Sequence, residues 1–161
     1  MALVRSALDG LGIPYSLYDH PPVFTAEEAA RHWADIPATG VKNLFLRNRK
    51  GDRHYLVLLG LDRQADLKEL VSIIGDDRLS FGSPDRLKAQ LGLTPGSVSP
   101  FGLLHNDGGL IVVIDAALRG AGRLIFHPNI NTASLSIAVA DFERFLATRR
   151  NPVRWVRIAG R

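Results

Sequence analysis

The sequence contains no cysteine and no long apolar run. Without cysteine the 161-residue chain has no disulfide, thiolate metal site, iron–sulfur ligation or cysteine nucleophile. A membrane span needs roughly 18–20 apolar residues, whereas the longest apolar runs here, 55–59 and 110–114, have the length of strands. No apolar stretch typical of a secretory signal precedes Asp9 and Gly10. We therefore expect a cytoplasmic protein without membrane contact.

Several common site motifs are also missing. None of the five histidines lies two, three or four residues from another, and no HExxH sequence occurs, so we expect no metal site. The segment Gly120-Ala-Gly122 fails the dinucleotide-binding fingerprint at Ile125, and no phosphate-binding GxxxxGK loop exists. The loop 96–100 has proline in place of the second glycine of the GxSxG motif, which disfavours a serine hydrolase. We expect no cofactor.

Length and composition favour one globular domain. The chain is 46% hydrophobic and 22% charged, which is an ordinary globular composition. Domains usually run to about 100–200 residues. Because no repeat, low-complexity stretch or linker interrupts the sequence, residues 1–161 are expected to form a single domain.

Positive charge is concentrated at the C-terminal end. Residues 149–161 contain five arginines and no acidic residue; of the 20 basic residues in the chain, 15 then remain against 16 acidic ones. A smaller basic cluster lies between Lys42 and Arg53. Local basic patches favour polyanions such as nucleic acid, and the simpler interpretation is a solvated surface. Arg149, Arg150 and Arg154 are our candidates for contacts with a nucleic-acid backbone.

Apolar periodicity and capping residues predict five short helices. They cover residues 2–11, 26–33, 67–74, 84–91 and 142–148. Thr25, Asp66, Ser83 and Asp141 are the predicted N-caps of the last four, and Pro84 occupies a favourable first position.

Short apolar and alternating runs predict the strands. These are residues 15–18, 41–47, 54–59, 101–105, 110–115, 123–127, 133–138 and 153–158. Helices and strands do not alternate regularly enough for a doubly wound sheet. The pattern predicts an α+β fold, in which a curved, mixed, partly barrel-like β-sheet is surrounded by short helices.

Lys42 is unusual because it shares a predicted strand face with Leu44 and Leu46. One interpretation is a lysine at a strand end whose ammonium reaches water. The other is a cation held at the rim of a pocket, where it would bind a phosphate or a carbonyl oxygen.

The loop 96–100 and His127 are two further candidates. Pro95 and Pro100 restrict the ends of the loop, and Gly96 permits a positive φ and a close approach of ligand. Such a loop can direct backbone N–H groups at an oxyanion, although a plain surface connection is the commoner case. His127 shares a strand face with Ile125, so it is either a satisfied, half-buried histidine or the wall of a pocket.

Four stretches together resemble the YbaK / prolyl-tRNA synthetase-associated editing-domain family. They are Pro-Pro-Val-Phe-Thr (21–25), Val-Lys-Asn-Leu-Phe-Leu (41–46), Gly-Ser-Val-Ser-Pro-Phe-Gly-Leu (96–103) and Phe-His-Pro-Asn (126–129). The resemblance covers nearly the whole chain and is most specific in the Lys-Asn pair and the Gly-x-x-x-Pro loop. Within the family the sequence is most similar to the free-standing alanyl-tRNA(Pro) deacylases of the ProXp-ala type.

The resemblance implies an activity: hydrolysis, in trans, of the ester between alanine and the 3′-terminal adenosine of tRNA(Pro). It implies the acceptor end of tRNA(Pro) as the partner and leaves open a contact with prolyl-tRNA synthetase. By resemblance the residues that act on the ester are Lys42, Gly96, Ser97, Val98, Ser99 and Pro100. Those that bind the substrate are Asn43, His127 and Asn129.

Three alternatives stay open. One is deacylation of another mischarged tRNA, such as seryl- or cysteinyl-tRNA. The second is a non-catalytic module that binds nucleic acid through the C-terminal arginines, and the third is a protein that binds a small molecule. Binding alone would need the basic patch but not an inward Lys42 beside a rigid loop.

Overall fold

The computed structural model describes residues 1–158. The helices are α1 (Ala2–Gly10), α2 (Ala26–Trp33), α3 (Leu67–Ile74), α4 (Pro84–Leu91) and α5 (Val139–Ala147), with 3₁₀ helices at Pro100–His105 and Ala116–Ala121. The strands are β1 (Ser16–Asp19), β2 (Thr39–Arg47), β3 (His54–Gly60), β4 (Ser80–Phe81), β5 (Ile111–Asp115), β6 (Arg123–Phe126), β7 (Ala133–Ala138) and β8 (Val153–Val156). No helix within residues 1–158 is long and apolar enough to span a membrane.

Three of the four predicted N-caps are confirmed. The side chains of Thr25, Asp66 and Ser83 each accept a hydrogen bond from a backbone N–H in the first turn of their helix. The prediction for Asp141 is wrong, because α5 begins at Val139, three residues before the predicted start, and its N-cap is Ala138. Asp141 lies in the first turn instead, where an acid still interacts favourably with the helix dipole.

The predicted strand at 101–105 is also wrong. These residues form a 3₁₀ helix, in which Pro100 stands at the start and the hydroxyl of Ser99 accepts a hydrogen bond from the N–H of Phe101. A short apolar run does not by itself distinguish a buried strand from a buried helical turn. The Ser-Pro pair, which is a helix-start signal, decides between the two here.

The strands form one mixed sheet in the order β1-β7-β6-β2-β3-β5-β8, with β4 paired to the outer end of β2. Strand β2 runs antiparallel to β3 over seven residue pairs. It runs parallel to β6 over two pairs only, Thr39 with Leu124 and Gly40 with Ile125. The predicted α+β fold with a curved mixed sheet is confirmed, although the sheet does not close into a barrel.

Strand β2 divides its side chains between two apolar cores, as its alternating sequence predicts. Val41 and Phe45 belong to the larger core, beside residues of α1 and α5. Leu44 and Leu46 belong to a second core, which α3 covers. A third, smaller cluster under α2 contains Trp33. Lys42 therefore leaves the strand on the α3 side, at the point where the sheet opens.

The corrected start of α5 is testable by mutation. Ser83→Ala removes a side-chain cap, so we expect it to lower the free energy of unfolding by about 1 kcal/mol. Asp141→Ala removes only a dipole interaction and an exposed ion pair with Arg144, 3.2 Å, so we expect a loss below about 0.5 kcal/mol. Denaturant titrations of both variants make the comparison. An Asp141→Ala loss as large as that of Ser83→Ala would restore Asp141 as the cap.

Candidate active site

A cavity opens where β2 and β6 part. The two strands separate after Gly40 and Ile125, and a space of about 160 Å³ lies in the opening. This is below the roughly 300–1,000 Å³ of sites for drug-sized ligands, so it suits a small group. It is lined by Val23, Phe24, Thr25, Ala26, Ala29, Trp33, Val41, Lys42, Asn43, Leu61, Gly96, Val98 and His127.

Lys42 lies at the rim of the cavity with its ammonium held in place. The Nζ atom donates a hydrogen bond of 2.5 Å to the backbone carbonyl of Arg63, in the loop that follows β3. An ammonium carries three N–H donors, so two remain for a ligand. The side chain is half-buried, and its aliphatic stem covers part of the cavity wall.

Asn43 supplies an acceptor to the same cavity. Its Oδ1 atom is buried and has no hydrogen-bond partner among the described residues. Leaving a buried acceptor unsatisfied costs about 1–3 kcal/mol, a cost that a donor on a bound ligand would remove. The position of Asn43 on the cavity wall makes this ligand the natural partner.

His127 forms the opposite wall and is held in one orientation. Its Nδ1 atom lies 3.3 Å from the carbonyl oxygen of Ala133, and since a carbonyl only accepts, Nδ1 carries the proton. Burial lowers the pKa of His127 below its ordinary value of 6.5. The ring is therefore neutral at pH 7, and its Nε2 atom is an acceptor.

The loop 96–100 reaches the cavity through Gly96 and Val98. Gly96 has φ +91°, a conformation that other residues rarely adopt. The N–H of Ser97 bonds to the carbonyl of Thr94 at 3.1 Å, whereas Gly96 and Val98 line the cavity. Because glycine has no side chain, the loop contributes backbone to the cavity wall at Gly96.

Not every predicted site residue reaches the cavity. Lys42, Asn43, Gly96, Val98 and His127 line it. Four further candidates for the ester site are not among the lining residues: Ser97, Ser99, Pro100 and Asn129.

Two of these four residues have a local backbone role. The hydroxyl of Ser99, fully buried, caps the 3₁₀ helix that Pro100 begins. Asn129 holds the turn after β6 in a left-handed conformation, φ 66°, which asparagine tolerates better than most residues.

Sequence reasoning missed two aromatic residues at the site. The sequence predicts Trp33 only as the last residue of α2. In the structure its indole lies beside the ring of His127, with 5.3 Å between ring centres. Phe24 is 70% exposed at the mouth of the cavity. A signal existed for Phe24, because it stands in the Pro-Pro-Val-Phe-Thr stretch; Trp33 had none, since an aromatic residue on an apolar helix face is usually core.

The side chains of the cavity provide no activated nucleophile. Among the described residues that line it, Thr25 carries the one hydroxyl. That hydroxyl accepts a hydrogen bond from the N–H of Glu28 at 3.1 Å and donates to the Glu28 carboxylate at 3.3 Å. The site can therefore bind and polarise a small polar group, and an attacking oxygen has to come from water or from the substrate.

Arg154 lies away from this cavity. It stands on β8, three strands from β2, which is about 14 Å at the usual strand spacing. Its guanidinium donates to the carbonyls of Ile74 at 2.8 Å and Ile73 at 3.3 Å, at the end of α3. These contacts satisfy carbonyls that the helix itself leaves unpaired.

Arg149 and Arg150 follow α5. The Nε atom of Arg149 donates to the hydroxyl of Thr148 at 3.2 Å, and the guanidinium lies 5.9 Å from the ring centre of Phe145. Arg150 is exposed. The last arginine of the basic segment, Arg161, lies outside the described residues.

The state of His127 can be measured directly. We expect an NMR titration of its ring to give a pKa below 6.5, because burial penalises the cation. The unfolded chain then binds this proton at a higher pH than the folded chain. The contribution of His127 to stability is complete above about pH 6.5 and is lost as the pH falls towards the folded pKa.

The control is His127→Gln, which removes the titrating group. The fall in unfolding free energy below about pH 6.5 should be shallower in this variant than in the wild type. A His127 pKa above 6.5, or an identical pH dependence in both proteins, would contradict the assignment.

The sequence profile of the aminoacyl-tRNA editing domain family matches residues 20–145. The prolyl-tRNA editing protein ProX of Acetoanaerobium sticklandii is 40% identical over 96% of this chain and 95% of its own. The multifunctional Ser/Thr-tRNA deacylase ProXp-y of Escherichia coli is 27% identical over 83% of this chain and 80% of its own.

Solved structures have the same fold. A crystal structure described as a proposed trans-editing enzyme for prolyl-tRNA synthetase superposes with a TM-score of 0.72 over 97% of this chain and 95% of its own, at 23% identity. The fold, the match of the profile and the near-complete coverage of ProX agree with one another. The chain belongs to the aminoacyl-tRNA editing domain family.

Proposed function

We propose that this protein hydrolyses the ester that joins alanine to the 3′-terminal adenosine of tRNA(Pro). The observation that carries the proposal is the small cavity, in which a cation, a backbone loop and an unsatisfied acceptor converge without an activated nucleophile. The 40% identity to the prolyl-tRNA editing protein ProX supports it. We place this reaction in the cytoplasm, where aminoacylated tRNA is used.

An aminoacyl ester is already activated, so positioning and electrostatic stabilisation suffice for its hydrolysis. The backbone N–H groups of Gly96 and Val98 would stabilise the oxyanion that forms on the ester carbonyl. The free N–H donors of Lys42 would hold the ester or the terminal phosphate. Asn43 Oδ1 would accept a hydrogen bond from the α-ammonium of the amino acid.

The bond changes are those of a simple hydrolysis. The oxygen of a water molecule attacks the carbonyl carbon, either directly or after a neighbouring ribose hydroxyl has taken over the acyl group, and the water gives up a proton. The bond between that carbon and the ribose oxygen then breaks. The ribose oxygen takes a proton, and the products are free alanine and uncharged tRNA.

The volume of the cavity suits an editing site that accepts amino acids smaller than proline and excludes proline itself. A synthetase pocket built for proline cannot strongly reject a smaller acid, because one missing methylene is worth only about 1–3 kcal/mol. A small cavity with rigid walls reverses the selection and excludes the larger, correct amino acid by steric overlap.

A seryl ester is the second candidate substrate. Asn43 Oδ1 and His127 Nε2 are acceptors on the cavity wall, and either could receive the hydroxyl of serine. The Escherichia coli relative is named for Ser/Thr-tRNA. A non-catalytic nucleic-acid module would bind tRNA without releasing any amino acid.

Removal of the Lys42 ammonium tests the proposed site. We expect Lys42→Ala and Lys42→Met each to lower kcat/KM for alanyl-tRNA(Pro) by about tenfold or more, equivalent to about 1.4 kcal/mol of transition-state stabilisation. Deacylation is followed by the release of labelled alanine. Lys42→Met keeps the aliphatic stem on the cavity wall, so it separates the loss of charge from the loss of packing.

The matched control is Lys50→Ala, in the exposed turn between β2 and β3. It changes the net charge equally and should leave kcat/KM unaltered. Full activity of well-folded Lys42 variants would remove the lysine from the site, and a wild type that releases no amino acid from any tRNA would leave only the binding module.

The C-terminal arginines are proposed to contact the tRNA backbone. Each phosphate contact contributes about −0.7 to −0.9 to the slope of log affinity against log salt. The double variant Arg149→Gln/Arg150→Gln should flatten this slope by about one to two units and raise KM more than it lowers kcat.

Arg154→Gln is the third arm of this experiment, because its guanidinium already bonds to α3. If it also flattens the salt slope, Arg154 contacts tRNA as well; if it only lowers the unfolding temperature, its role is to cap the helix. An unchanged slope in the double variant would show that Arg149 and Arg150 merely complement the dipole of α5.

A further inference from the structure

A hydrogen-bonded chain of three side chains lies directly behind the cavity. Ser134, on β7, is completely buried. Its Oγ atom lies 2.7 Å from the indole Nε1 of Trp33 and 2.7 Å from Nε2 of His20. Trp33 is separated from Ser134 by 101 positions in the sequence, so the contact exists only in the folded protein.

The chemistry of the donors fixes the direction of two of these bonds, and the third follows for a neutral His20 ring. An indole N–H only donates, so Ser134 accepts from Trp33. Nδ1 of His20 lies 2.9 Å from the carbonyl of Pro21 and must donate to it. In the neutral ring, Nε2 of His20 is then an acceptor, and it receives the hydroxyl proton of Ser134. Every polar atom of the chain is satisfied in this arrangement.

The other sides of the indole are also fixed. A Cβ atom on Gly40 would lie 2.6 Å from Cε3 of Trp33, so the ring packs directly on the backbone of β2. The ring of His127 stands against it at 5.3 Å, and the ring of His20 lies 5.9 Å from that of His127. The remaining side of the indole faces the cavity.

We propose that Ser134 and His20 are positioning residues that hold Trp33 as the wall that sets the size limit for the acyl group. The inference rests on the proposed function and adds specificity residues to it. Because the indole is held by a hydrogen bond as well as by packing, it cannot tilt aside to admit a proline ring. Loss of the hydroxyl of Ser134 releases the indole and leaves its N–H without a partner.

The test compares Ser134→Ala with a matched control on the same strand. Ser136 lies two residues further along, is also buried, and bonds at 3.0 Å to Arg123 rather than to the cavity wall. We expect Ser134→Ala to raise the ratio of prolyl- to alanyl-tRNA(Pro) hydrolysis by about tenfold or more. Ser136→Ala should leave this ratio unchanged, even if it lowers stability equally.

A double-mutant cycle identifies Trp33 as the group through which Ser134 acts. Trp33→Phe keeps an aromatic wall but removes the N–H, so it should raise the ratio of prolyl- to alanyl-tRNA(Pro) hydrolysis as Ser134→Ala does. In the double variant this ratio should be no higher than in either single variant, because both substitutions break the same hydrogen bond. Additive effects would mean that Ser134 acts on specificity by another route and would overturn the inference.

A physical readout accompanies the kinetics. The indole N–H proton of Trp33 should exchange with solvent faster in Ser134→Ala, by about tenfold or more, and should be unaffected in Ser136→Ala. If the wild type hydrolyses alanyl-tRNA(Pro) but Ser134→Ala changes neither ratio nor exchange, this inference fails and the proposed function stands. If the wild type hydrolyses none of the substrates, both fail.

Discussion

The parallel pairing of β2 with β6 stops after two residue pairs, and the candidate site exists because it stops there. Continued pairing would place Lys42 opposite His127 at ordinary strand spacing, and no ligand would fit between them. On its other edge β2 stays paired with β3 over seven residues. The edge that leaves β6 next pairs with β4, at Leu46 and Arg47. The opening exposes both faces of one strand, which is why the adjacent residues Lys42 and Asn43 line one cavity.

The remainder of the fold makes this opening rigid. Helix α2 covers it from one side, and Trp33 rests on the backbone at Gly40. The loop after β3 holds the ammonium of Lys42, and Gly96 brings a second backbone segment to the rim. Fixed dipoles and a fixed cation around a small space are what transition-state stabilisation of an ester requires.

Local features of this molecule were predictable from sequence, and long-range ones were not. Thr25, Asp66 and Ser83 cap helices because capping depends on neighbours two or three residues away. The face of Lys42 follows from strand alternation. The parting of β2 from β6 and the bond between Trp33 and Ser134 depend on segments far apart in the chain, and no local pattern encodes them. The 3₁₀ helix after Ser99 was missed because its apolar run resembles a strand.

The most direct test of this account measures single-turnover hydrolysis of one tRNA(Pro) charged in turn with alanine, serine, cysteine and proline. The tRNA is constant, so rate differences report the acyl pocket alone. We predict that the alanyl ester is hydrolysed fastest and that the rate for the prolyl ester is lower by a factor of about 100 or more. Hydrolysis of prolyl-tRNA(Pro) at a rate equal to that of the alanyl ester would contradict a cavity that selects by size.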